Sequence, residues 1–435
     1  MIGLTDTCHW GLAACIWSLV IGNSSLAINA AESVQRLPTV SPVTGAAFFA
    51  KLLLIDPAGQ ITFQPDAGPD AATAGPRTLA IGDLVRWGNP VAPAAQPIVL
   101  LGDGSRLVAA ADWSGGAAVR TEEDAVVVRS DDWGDVRLSQ PLVRGIVFAL
   151  RSSRADRQRL EDLVRAADAA QDQVLLANQD RLTGSIKELP GGSITVATAG
   201  GDAKLPISRV EAVIFAMPKM AASAGGSAET LPRSAGAQLV VGMRDGSLLY
   251  AAHVVADAQR AQLELAGGTR LTGSSVDEVV SLQSLGGRFV YLSDLEPADY
   301  RQVPYLDIQW PYKRDRNVLG DPLMVGGKRY LKGLGMHSAA RLTYKLERQY
   351  KRFDAEVAID DSAGGRGSVV FAVYVLRDAK WQPAYTSDVV RGGDAPKNVS
   401  VDLTGADAMT LVVDYADRGD ELDYADWLGA RLRKD

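Results

Sequence analysis

The chain has 435 residues, 47% of them hydrophobic and 22% charged, and a net charge of −7, an ordinary globular composition long enough for two to four domains. A nucleic-acid surface needs clustered Lys and Arg; the sequence has no such cluster, so nucleic acid is not an expected partner. Both cysteines, Cys8 and Cys15, fall in the first fifteen residues, so disulfides, thiolate metal sites and cysteine nucleophiles are not expected in the rest of the chain.

Residues 1–30 read as an export signal. The run GLAACIWSLVIG, Gly11 to Gly22, is uncharged and apolar but too short to span a bilayer. Ser25-Leu26-Ala27 offers a small-x-small cleavage site, with Ala30 and Ala31 as alternatives, although the segment before the run carries Asp6 and no Lys or Arg. Leu12-Ala13-Ala14-Cys15 also fits a lipoprotein-type site. No later segment reaches the roughly 18 apolar residues of a membrane helix. The expected location is periplasmic or extracellular.

Residues 46–150 contain two β units. Apolar strand ends, tight polar turns and return strands recur in LLGDGSRLVAA (Leu100 to Ala110), LLANQDRLTGS (Leu175 to Ser185) and VGMRDGSLLYA (Val241 to Ala251). Asp-Gly pairs supply the positive φ that two-residue hairpins need. Closing strands follow each hairpin, as in RLSQPLVRGIVFAL and KLPISRVEAVIFAM. Such units are too small to bury an apolar face alone and must pack together. Their hairpins, most clearly Asn178 to Gly184, resemble those of small SH3-like or Sm-like barrels. Between the units, residues 151–176 read as one linking helix, with Leu160, Leu163, Val164 and Ala167 at i, i+3, i+4 and i+7. Further β units are expected at 177–217 and 238–287, joined by a Pro/Gly/Ser/Ala linker at 218–237.

From residue 288 to 435 the pattern becomes strands at short intervals without intervening helices, which predicts a β-sandwich. FVYLSDLEP, YLKGLGMHS, YKRFDAEVAIDD, GSVVFAVYV and ELDYADWLGARL occur in that order. Together they resemble the NPCBM type of module, named for carbohydrate binding. The resemblance implies a galactose-binding-like jelly roll and a glycan partner. The overall expectation is therefore a mainly β protein: SH3/Sm-like barrel repeats, one helix, then a jelly-roll sandwich.

Aromatic faces are the usual platforms for sugars, which makes Trp310, Tyr312, Trp381 and Tyr385 candidate ligand contacts. His337, at the exit of the KGLGMHS turn, is a further candidate, read first as architecture because no motif-spaced partner makes it a base. Trp427 reads as core. Asp414, Asp417, Asp420 and Asp423 form an acidic run that could ligate calcium, the one candidate cofactor; the resemblance to galactose-binding-like folds raises that idea, and a solvated acidic turn is the simpler reading. No nucleophile elbow, zinc-binding H-E-x-x-H or phosphate loop is present. A glycosidase needs only two acids on one cleft, but the repeats lack the α/β pattern of a catalytic domain. A non-catalytic glycan-binding protein is expected, with an envelope protein that binds other proteins, or an accessory of glycoside hydrolases, as the alternatives.

Overall fold

The computed structural model describes residues 37–66, 75–110, 118–148, 153–189, 192–216, 238–304 and 308–434. The export signal expected at 1–30 and the linker at 218–237 lie outside the described residues. What is described is mainly β. Among the described residues, no helix is long and apolar enough to cross a membrane.

Four β units precede the sandwich. The third shows their common plan: strands Asp172–Leu176, Arg181–Glu188, Ser193–Thr198 and Gly201–Pro206, a single 3-10 turn Ile207–Arg209, and a closing strand Val210–Ile214. In every unit the closing strand pairs antiparallel with that unit's own first strand. Its other edge pairs with the closing strand of a different unit. Leu84–Gly88 of the first unit joins Val279–Ser284 of the fourth. Val143–Val147 of the second joins Val210–Ile214 of the third. The units thus pair first with fourth and second with third.

A glycine sits in each seam. A Cβ on Gly145 would fall 2.2 Å from the Val213 carbonyl oxygen, and one on Gly88, whose φ is +67°, would fall 2.0 Å from that of Val280. A larger residue would force the strands apart. Because neither pair can bury its apolar face by itself, one buried cluster runs through all four units, including Phe63, Trp87, Val126, Val143, Val196, Val213, Leu249 and Leu282. The first unit begins at Thr39, ahead of the expected start at Ala46. Its Thr39–Pro42 strand is the one onto which Leu84–Gly88 closes.

The helix is shorter than its sequence pattern suggested. It spans Arg154–Ala166, buries Leu160 and Val164, and leaves Leu163 exposed. Residues 172–176 form a strand, because Val174 and Leu175 find ladder partners on both sides. β-branched Val174 suits the pleated surface there.

The sandwich is built from two antiparallel sheets. In the first the order is Lys313–Arg314, Gly333–Met336, Ala425–Arg433, Arg352–Ile359, Lys397–Asp402, with Phe289–Tyr291 beside the end of the third. In the second it is Asp299–Gln302, Ala340–Lys345, Ala408–Tyr415, Ser368–Arg377, Lys380–Thr386. Phe353, Ala355, Val357 and Ile359 point into the core as their alternation requires. Trp427 is fully buried, with Phe371 edge-on at 5.1 Å. Removing about 200 Å² of such a ring from water contributes about 5 kcal/mol before entropy. The outer face of the second sheet is more open than its apolar central strand suggests, and Tyr374 is exposed there.

The outer face of the first sheet is covered. Arg86 of the repeats donates to both oxygens of Glu356, at 2.8 and 3.1 Å, and its guanidinium lies 4.4 Å over the Tyr330 ring. Arg316 pairs with Asp162 on the helix, and Arg433 donates to the Val43 carbonyl at 2.8 Å. Val43 and Val85 pack with Phe289 and Tyr291 in the same seam.

Candidate functional site

Strand register brings the candidate site together. Lys313 lies opposite Gly335 in an antiparallel pair, which carries Trp310 and His337 toward the same end of the sheet. Met336 lies opposite Ala425, so Tyr424 stands abreast of His337. The Trp310 and His337 rings stack with centroids 4.7 Å apart and an 8° interplanar angle. Tyr424 closes the group, tilted at 6.0 Å from each. Trp310 is pinned through its backbone: its N–H donates to Gln302 Oε1 at 2.6 Å, and its carbonyl accepts from the Tyr300 hydroxyl at 2.5 Å. The indole is partly buried, and the imidazole beneath it is fully so.

The electrostatics beneath the rings are acidic. Burial lowers the His337 pKa against a smaller opposing pull from Asp420 and a hydrogen bond to Ser338, so the imidazole is neutral near pH 7. Asp423 is fully buried. Burial pushes its carboxyl up to about 6, with hydrogen bonds from Ser338 and the Ser368 amide opposing and Asp420 adding repulsion. Its Oδ1 accepts from Ser368 N at 2.8 Å. An aromatic pair over neutral and acidic polar groups suits an uncharged, hydroxyl-rich ligand, with the exposed ring as platform and polar atoms at its rim.

The remaining candidates do not join this group. Tyr312 packs its ring against Tyr300 at 5.1 Å and receives a hydrogen bond from Arg314. Trp381 and Tyr385 lie on Lys380–Thr386, at the opposite edge of the sheet from the Asp299–Gln302 strand that anchors Trp310. Four strand spacings, roughly 19 Å, separate those edges, more than one sugar ring spans. Trp381 is half-exposed opposite Leu376, and Tyr385 packs partly against the core. The calcium set does not converge. Asp414 is exposed on its strand, Asp417 is held by Arg391 at 2.7 Å, and Asp423 turns inward to Ser368. Among the described residues, no group of three or more His, Cys, Asp or Glu side chains could hold a metal. Tyr424 was missed in the sequence because only its strand register, and no motif, ties it to His337.

The sandwich thus carries an aromatic stack, Trp310 on His337, at one end. The NPCBM/NEW2 family model matches residues 288–433, so this C-terminal domain is an NPCBM/NEW2 domain. A Renibacterium salmoninarum protein named for endo-alpha-N-acetylgalactosaminidase activity is 37% identical over 113 residues, covering 26% of this chain and 7% of that protein. Alpha-1,3-galactosidase B of Akkermansia muciniphila is 32% identical over 118 residues, covering 26% of this chain and 14% of that protein. This chain therefore spans only a small part of either relative. Among solved structures, the CBM51 of Clostridium perfringens GH95 in complex with methyl-galactose covers 33% of this chain and 99% of its own, at 26% identity and a TM-score of 0.29.

Proposed function

We propose that the protein is an exported, non-catalytic carbohydrate-binding protein that holds an uncharged sugar on Trp310, with His337 and Tyr424 shaping the pocket wall and the four β units serving as scaffold. The Trp310–His337 stack carries the reading: a partly exposed indole lies on a buried imidazole and is held in place through its backbone. The NPCBM/NEW2 match supports the ligand class. Glycosidase names among the relatives support an accessory relation to such enzymes. A protein partner is the second reading, favoured by the exposed Tyr374 and Trp381 on the open sheet.

Affinity electrophoresis of the full chain through galactose-, N-acetylhexosamine- and glucose-containing polymers separates these readings. Retardation that disappears in Trp310→Ala and survives in Trp381→Ala is the expected result. No retardation by any polymer, or equal loss in both variants, refutes the assignment.

A further inference from the structure

A second buried group of acids lies on the outer face of the first sheet and takes no part in the aromatic site. Asp426 sits between Gly335 and Ala358 on the neighbouring strands and is completely buried. Among the described residues, neither of its carboxyl oxygens has a hydrogen-bond donor. An ionised carboxylate cannot persist in such a place, because nothing replaces its lost hydration. Asp360, also buried, lies on the same outer face two residues beyond Ala358, the strand partner of Asp426, and its carboxyl bears on that of Asp426. Asp360 is well supplied with donors: its Oδ1 accepts from Asn317 Nδ2 and Ser362 N, both at 2.9 Å, and its Oδ2 from Met324 N at 2.9 Å. Asp360 is therefore the ionised member of the pair and Asp426 the acid that donates to it.

These same acids hold down a hairpin. Besides the Asp360 bond to Met324, the Asp361 carboxylate accepts from Gly326 N and Gly327 N, both at 2.8 Å. The hairpin, strands Leu323–Val325 and Lys328–Tyr330, covers Ala358 and Leu428, the apolar neighbours of Asp426. Its far side meets the repeats, where the Tyr330 hydroxyl donates to Glu356 at 3.1 Å under the Arg86 guanidinium. The hairpin is thus clamped between the acid pair and the repeats.

We propose that Asp426 and Asp360 share one proton, and that this proton latches the hairpin onto the sandwich, so that loss of the proton as pH rises releases the hairpin and its contact with the repeats. The charged groups bearing on Asp426 are Asp360 and Asp361, both acidic. Burial first, then Asp360, holds the Asp426 carboxyl well above the usual carboxylate range. The folded state keeps a proton that the unfolded chain gives up near pH 4, so the pair opposes folding increasingly as pH rises toward the folded value.

Asp426→Asn tests this in the full chain, because the amide is neutral at every pH and still donates to Asp360. The ratio of wild-type to variant unfolding constants should rise about tenfold per pH unit from about pH 5 upward. Hydrogen exchange at Met324, Gly326 and Gly327, corrected for its intrinsic base catalysis, should lose protection with pH in the wild type and hold level in the variant. A ratio that does not change with pH overturns the proposal. So does stabilisation of the wild type alone by added calcium, which would make the pair a metal site. Should the variant not fold, infrared spectroscopy of the wild type decides: an un-ionised carboxyl stretch at neutral pH supports the latch, and its absence refutes it.

Discussion

Truncating the ion pair between the repeats and the sandwich should loosen their joint by a measurable amount. Arg86 and Glu356 side chains are 22% and 28% exposed, and the guanidinium reaches both carboxylate oxygens. A charge-assisted contact at such depth, here one Nη2 shared between both oxygens, is worth about 1.5–3 kcal/mol, and stacking over Tyr330 adds about 0.5–1 kcal/mol. Desolvation and side-chain ordering offset part of this. A double-mutant cycle of Arg86→Ala and Glu356→Ala, followed by urea denaturation of the full chain, should return a coupling of about 2 kcal/mol. Glu356→Ala alone should cost more than the coupling, because Arg86 and the Tyr330 hydroxyl both lose their acceptor. A coupling below about 0.5 kcal/mol, the level of an exposed pair, would refute the reasoning and assign the joint to the apolar patch of Val43, Val85, Phe289 and Tyr291.

Trp427→Ala should lower the stability of the sandwich by about 3–5 kcal/mol, read as a shift in denaturant midpoint; a loss below about 1 kcal/mol would mean the core does not depend on this ring. Gly88→Ala should destabilise by about 2 kcal/mol or more, since it combines a left-handed backbone with a clash against Val280; thermal midpoints would show it, and an unchanged midpoint would mean the seam can widen freely. Asp423 titrates at about 6 in the folded protein, against about 3.9 unfolded. Its contribution is therefore intact below about pH 4 and lost as pH rises to about 6. Asp423→Asn should gain on the wild type across that interval and no further above it, and a gain that continued to alkaline pH would assign the titration to another group.

Much of the sandwich was legible because alternation is a local signal: Phe353 to Ile359 fixes which face is buried without knowledge of the partner strand. Trp427 in the core followed from the same kind of pattern. The functional end was legible only as separate residues. Trp310 and His337 meet because Lys313 is registered against Gly335, and register depends on long-range pairing. Asp423 read as part of a solvated acidic turn, with calcium ligation as the alternative, yet its strand entry turns it inward to the Ser368 amide. The helical spacing does not extend through residues 172–176 because that stretch is paired on both sides in the sheet, where β-branched Val174 fits the pleat. The partnering of the units left no trace in sequence, since each closing strand reads alike whichever unit it joins.

That partnering carries a consequence for biosynthesis. The edge of Leu84–Gly88 finds its mate in Val279–Ser284, roughly 190 residues later in the chain. Until the fourth unit emerges, the first presents an open row of backbone donors and acceptors, the template on which strands of other molecules aggregate. The second and third units can close on each other much sooner. They offer an early folded centre around which the outer pair later shuts, and a chain halted before Val279 would keep one bare edge however well its centre had formed.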